Sequence, residues 1–179
     1  MSKKVLVISA SPRVHGNSDL LCDEFIKGAV DAGNEVEKIS LRDKKIGYCQ
    51  ACETCYTNGG KCFQKDDMAE ILDKMINVDV IAMGTPVYFY SLNAQMKTLI
   101  DRSVSKYLEI TNKDFYFFMT ATDADKKAMN RTLECFRGWL DCLENANEKG
   151  VIYGAGASKK GDIKNMPELQ EAYNYGRNV

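Results

Sequence analysis

Apolar and polar positions along this chain fall into blocks of two different periods. Val5-Leu6-Val7-Ile8 is a short, β-branched-rich apolar run between lysines and a turn-rich stretch, which predicts a buried parallel strand. Leu20, Leu21, Phe25, Ile26, Ala29 and Val30 then recur at helical spacing on one face, and Gly33-Asn34 closes that helix. Residues 36–41 alternate apolar and polar and predict a second strand. Residues 46–65 follow neither period. Asp66-Asp67 open a further helix with Ile71, Leu72, Met75 and Ile76 on its apolar side, where paired acids suit the positive end of the helix dipole. Strands over residues 78–83, 115–119 and 151–153, with helices over 93–105, 124–144 and 167–175, complete the pattern.

Strand and helix thus alternate five times. That order predicts an α/β fold: a doubly wound, five-stranded parallel sheet with helices on both faces and right-handed crossovers. With no internal repeat, low-complexity tract or linker, residues 1–179 read as a single domain. In such sheets ligands sit beyond the carboxyl ends of the strands, where the strand order reverses. The loops after the strands are therefore the places to look for chemistry.

Composition narrows the partners. The chain has 24 basic and 25 acidic residues, a net charge of -1, which argues against a nucleic-acid binder. No apolar run is long enough to cross a bilayer, and the one behind Lys3-Lys4 is too short for a signal peptide, so a cytoplasmic location without membrane contact is expected. Seven cysteines then need an explanation, because a reducing compartment disfavours structural disulfides.

The loop over residues 9–18 follows the first strand and enters the first helix. A helix N-terminus offers unpaired N–H groups to an anion. Ser9, Ser11 and Ser18 add hydroxyls, Asn17 an amide, Arg13 a fixed charge, and Gly16 lets the backbone come close. These groups suit a phosphomonoester, and the lysine and spacing of a triphosphate P-loop are missing. The plainer alternative makes Asn17 or Ser18 an ordinary N-cap. His15, the only histidine, receives no catalytic role.

After the third strand, Gly84-Thr85-Pro86-Val87-Tyr88-Phe89-Tyr90-Ser91 crowds three aromatics behind a stiffening proline. Such a surface suits a planar ligand, with backbone N–H groups near Val87 and Tyr88 as donors; the alternative is packing into the core or a subunit seam. Thr120-Ala121-Thr122-Asp123 follows the fourth strand as a weaker candidate, since Thr and Asp also cap helices.

Cys49, Cys52, Cys55 and Cys62 form C-x2-C-x2-C-x6-C. The compact triple spacing is that of iron–sulfur loops, and it fits the two separated knuckles of structural zinc poorly. A Cys49–Cys52 redox disulfide and a loop of free thiols are the competing readings. Cys22, Cys135 and Cys142 lie in predicted helices and read as buried apolar fillers. Gly154-Ala155-Gly156 with Gly161 is not a dinucleotide fingerprint, because Lys159 stands where a small residue is needed and no clear helix follows. No hydrolase triad, metalloprotease motif or nucleophile elbow is present.

Three segments together resemble one family. Ser11, Arg13, Gly16, Asn17 and Ser18 are similar to the phosphate loop of the NADPH-dependent FMN reductase and iron–sulfur flavoprotein group within the flavodoxin-like fold. Pro86-Val87-Tyr88, Ala94, Lys97, Asp101 and Arg102 resemble a second signature of the group. The stretch from Cys49 to Met68 resembles the compact cysteine motif of its iron–sulfur members, with a last spacer that varies. The resemblance implies strand order 2-1-3-4-5 and FMN, its phosphate on Ser9, Ser11, Arg13, Asn17 and Ser18 and its ring against Pro86, Val87, Tyr88, Phe89, Thr120 and Thr122. It implies NAD(P)H as a transient reductant, ping-pong transfer to a small-molecule acceptor, and a homodimer or homotetramer. Lys97, Asp101 and Arg102 are expected to be structural. With a [4Fe–4S] cluster on Cys49, Cys52, Cys55 and Cys62, the protein would instead be an electron carrier with ferredoxin-like partners. A non-redox binding module on the same fold is the third reading. In the first two the flavin carries the chemistry, and no catalytic side chain is assigned.

Overall fold

The computed structural model describes residues 2–179. Its strands are β1 (Lys4–Ser9), β2 (Glu35–Ser40), β3 (Val80–Tyr88), β4 (Ser91–Leu92), β5 (Lys113–Ala121) and β6 (Ala146–Ala155). Its α-helices are α1 (Asn17–Asp31), α2 (Thr54–Thr57), α3 (Met68–Ile76), α4 (Ala94–Arg102), α5 (Asn130–Leu140) and α6 (Pro167–Arg177). The main sheet runs β2-β1-β3-β5-β6 with every pair parallel. This is the expected flavodoxin-like order of five strands, and the sixth, β4, is a two-residue antiparallel addition to β3.

Period-2 alternation sorts the strands' side chains onto two faces. Leu6, Ile8, Ile81, Phe115 and Phe117 pack beneath α3, α4 and α5. Val5, Val7, Val80, Tyr116 and Phe118 face α1 and α6. A Cβ on Gly28 would strike the Tyr173 carbonyl, and one on Gly176 the Phe25 carbonyl, so α1 and α6 cross with their backbones nearly touching. That contact fixes the axis of α1, whose N-terminus faces the first strand-end loop.

Three elements differ from expectation. The helix over 124–144 is shorter: residues 126–129 form a 3-10 turn started by Asp125, whose carboxylate accepts the Lys127 N–H, and α5 ends at Leu140. The helix over 93–105 is α at 94–102 and 3-10 at 103–105. The loop after the third strand is largely strand. β3 continues through Pro86 to Tyr88 and turns back through Phe89-Tyr90 into β4. Among the described residues no helix is long and apolar enough to cross a membrane.

Candidate functional site: a strand-end cleft and a cysteine cavity

β1 ends at Ser9 opposite Gly84 of β3, and Pro86 lies opposite Thr120 of β5. The register therefore brings three strand ends to one edge, where the order reverses. They border a cleft open to solvent. Ser11, Arg13, Asn17, Ser18, Pro86, Val87, Tyr88, Thr120 and Thr122 all line it, with Gly16 and Ala157.

The cleft's anion end is α1. Gly16 is its N-cap, with ψ 165°, and no side chain caps the helix, so the reading of Asn17 or Ser18 as an ordinary cap does not hold. Uncapped N–H groups and the dipole both favour an anion here. Ser18 Oγ is buried without any partner, an orphaned donor on the cleft wall. A Cβ on Gly16 would collide with Ser11 Oγ and lie 3.2 Å from the Arg13 carbonyl, so a side chain here would push Ser11 out of place.

Three residues of this loop do other work. Ser11 Oγ donates to the Arg13 carbonyl at 2.9 Å and accepts the Arg13 N–H at 3.3 Å. The Asn17 amide donates to the Ala157 and Lys159 carbonyls at 3.1 and 2.9 Å, and its oxygen accepts the Gly161 N–H at 2.9 Å and the Ile163 N–H at 3.4 Å. Its side chain is thus a staple to the loop after β6, which leaves only its backbone N–H for an anion. Ser9 is fully buried and donates to Asp19 Oδ1 at 2.7 Å instead of facing the cleft.

Asp19 is the residue the sequence reading missed. It is 1% exposed and accepts the His15 N–H at 2.9 Å, holding His15 in a left-handed turn at φ 53°. Lys38 Nζ reaches it at 2.8 Å and Arg42 Nη1 at 3.3 Å. Burial alone would raise this carboxyl, but the hydrogen bonds from Lys38, Ser9 and the His15 N–H outweigh it and hold it below the ordinary carboxylate value. The signal available was Lys38, a charged residue in the middle of a predicted strand. His15 and Asp23 flank this group, yet Lys38 already bridges Asp19 and Asp23.

At the other end, Phe89 and Tyr90 take φ values of 50° and 62°. Two left-handed central residues make a type I′-like hairpin turn, which ordinarily uses Asn-Gly. Phe89 is 102% exposed and points out of the cleft. Asn93, 1% exposed, locks the hairpin base: its amide donates to the Ala10 carbonyl at 2.6 Å, its oxygen accepts from Thr85 Oγ1 and caps α4 through the Met96 N–H.

All four motif cysteines line a second cavity. Left-handed Ala51, Glu53, Gly59 and Gly60 fold the segment back on itself. The Thr54 hydroxyl and N–H donate to Cys52 and lower its pKa. The cavity floor is Arg102. Instead of pairing with Asp101, which binds Lys97, it is buried, with Nη1 donating to the Gly47 carbonyl at 2.6 Å and to Asp66 Oδ2 at 2.7 Å. Nη2 donates to Asp66 Oδ1 at 3.0 Å and approaches Cys62 Sγ at 3.5 Å. Burial would raise the Asp66 carboxyl, but Arg102 with the Gly47 and Met68 N–H groups lowers it. Of the remaining cysteines, Cys22 is buried as expected, and burial pushes its thiol up. Cys135 is half-buried and packs against the core, whereas Cys142 is exposed and is no core filler.

A family model described as NADPH-dependent FMN reductase matches residues 3–146. The chain is 47% identical over 100 residues to an iron-sulfur flavoprotein of Methanocaldococcus jannaschii, a match covering 56% of this chain and 51% of the relative. It is 41% identical over 99 residues to an iron-sulfur flavoprotein of Archaeoglobus fulgidus, covering 55% and 44%. The chain spans about half the length of the curated relatives it matches. Its fold superposes on an azoreductase from Bacillus anthracis with a TM-score of 0.76 at 18% identity, covering 100% of both chains.

Proposed function

Since the chain belongs to the NADPH-dependent FMN reductase family, we propose that it is an FMN-dependent NAD(P)H oxidoreductase whose flavin lies in the strand-end cleft. The observation that carries this reading is the orphaned, buried Ser18 Oγ beside the uncapped N-terminus of α1, in a cleft whose opposite wall is Pro86, Val87 and Tyr88. Ser18, Arg13 and the first-turn N–H groups are the donors for the flavin phosphate; the Ser11 hydroxyl, which bonds the Arg13 backbone, would have to turn to join them. Asn17 and Ser9 support that loop from behind. Pro86, Val87 and Tyr88 of the β3–β4 hairpin and the Thr120 to Thr122 segment would flank the ring. Bound FMN would accept a hydride from a nicotinamide and return the electrons to an acceptor, so this chain needs no acid–base side chain of its own. Reductant and acceptor would use the one flavin in turn, so double-displacement kinetics with a small-molecule acceptor is the expected pattern.

The cysteine cavity supports a second function. Four cysteines around one cavity, over a buried arginine, are a donor set of the right kind for a [4Fe–4S] cluster held by Cys49, Cys52, Cys55 and Cys62. With it the chain would exchange single electrons with a ferredoxin-like partner. The thiol content suits a cytoplasmic setting, and the exposed Phe89 and Tyr90 at the cleft rim suit a homodimer or homotetramer.

Titration with FMN and riboflavin after anaerobic purification tests the main reading. The wild-type protein should bind FMN, and Arg13→Ala should weaken FMN at least tenfold more than riboflavin. A protein that takes up no FMN, or equal losses for both ligands, would contradict the site as described. Iron and sulfide assays on the same sample decide the second function.

A further inference from the structure

We propose that Arg102 is a positioning residue that sets the reduction potential of the cysteine-loop centre, through a charged N–H group aimed at Cys62, with Asp66 as the counter-charge that moderates it. The inference rests on the cluster reading of the preceding section.

The geometry is specific. Arg102 is 3% exposed, on the last turn of α4, so its charge is poorly screened by water. Its guanidinium has five N–H donors in a fixed fork. One nitrogen spends itself on the Gly47 carbonyl, Gln64 Oε1 and Asp66 Oδ2. The other faces Asp66 Oδ1 and the Cys62 sulfur at 3.5 Å. A clamp needed only to hold the loop would be complete with Gly47, Gln64 and Asp66. The approach to Cys62 adds a cation beside a sulfur ligand.

Hydrogen bonds to sulfur, net charge and burial are the levers that set iron–sulfur potentials. Taking up an electron makes the centre more negative, so a neighbouring cation stabilises the reduced form and raises the potential. Removing Arg102 therefore lowers it. Removing the Asp66 charge unmasks Arg102 and raises it. A lysine cannot reproduce the planar fork that binds Asp66 at two oxygens while facing Cys62.

The test uses the full chain, reconstituted anaerobically with iron and sulfide, and a dye-mediated reductive titration followed by electron paramagnetic resonance. Arg102→Gln should shift the oxidised-to-reduced ratio at fixed solution potential about tenfold toward oxidised, equivalent to about 59 mV for one electron. Asp66→Asn should shift it the other way, and Arg102→Lys should fall between Arg102→Gln and wild type. An unchanged potential in an iron-loaded Arg102→Gln protein, or shifts of the same sign in Arg102→Gln and Asp66→Asn, would overturn the inference. Where Arg102→Gln holds no iron, Asp66→Asn decides alone, and no rise there overturns it. Wild-type protein that takes up no iron sinks the cluster reading itself, which is a different failure from loaded variants that do not move.

Discussion

Asn17→Ala separates a staple from a phosphate contact. The wild-type side chain makes four hydrogen bonds to the segment 157–163, three of them between 2.9 and 3.1 Å and the fourth, from the Ile163 N–H, at 3.4 Å. Alanine removes all four and leaves buried backbone groups of that segment without partners. At about 1 kcal/mol net for each of the three short bonds, the loss is about 3 kcal/mol. For a domain of this size that corresponds to a Tm lower by about 6–12 °C. Urea unfolding of the flavin-free protein reads the first number and a thermal scan the second. Because Ala157 lines the cleft, loosening this segment should weaken FMN and riboflavin by similar factors. Flavin-free stability within about 0.5 kcal/mol of wild type, together with selective loss of FMN, would refute the staple and return Asn17 to the phosphate.

Two further outcomes follow from the same geometry. Replacing Phe89-Tyr90 by Asn-Gly relieves two left-handed non-glycine residues and should stabilise the flavin-free protein by about 1–2 kcal/mol in urea unfolding; a loss of stability would show that the exposed rings carry packing that the monomer does not reveal. Asp19 titrates below its ordinary value of 3.8 in the fold, so its contribution is complete above that pH and disappears as pH falls through the lower folded value; Asp19→Asn should flatten the fall of unfolding stability below pH 3.8, and an unchanged slope would remove Asp19 as the support of the loop.

The alternation of strands and helices and the loops that form the cleft were legible because both rest on local patterns, whereas the strand order came from the family resemblance. Helical spacing from Leu20 to Val30 and the Gly33 stop, now at φ 87°, needed no tertiary information. What escaped depended on distant partners. Pro86 reads as a strand breaker, yet β1 ends opposite Gly84, so β1 offers Pro86 no ladder partner and a proline is tolerated. Asn17 reads as a phosphate ligand because nothing nearby announces carbonyls some 140 residues away. Asp19 is one acid among many until Lys38 and Arg42 close on it. Arg102 next to Asp101 reads as half of a local pair, but on a helix adjacent positions point in different directions, and Arg102 turns into the cavity while Asp101 meets Lys97 four residues back.

That divergence at Arg102 is what joins the two sites. α4 begins at Asn93, buried between the hairpin and the Ala10 carbonyl at the cleft, and ends at Arg102, buried beneath the cysteines. Both ends are tied by hydrogen bonds, and the helix between them has nine residues, a length of about 13.5 Å at the α-helical rise. The cysteine segment itself is irregular, with an inserted four-residue helix and exposed Tyr48 and Tyr56. Its position relative to the cleft therefore depends on α4 more than on its own backbone. The Asp66–Arg102 pair, the Gly47 carbonyl, Gln64 and the Arg102–Cys62 contact link the helix to the thiols. A substitution at Arg102 thus changes two things at once, the charge beside Cys62 and the anchoring of the loop. Asp66→Asn keeps a hydrogen-bonding side chain while removing the charge, which is why the sign of its effect, opposite to that of Arg102→Gln, separates electrostatic tuning from a loosened loop.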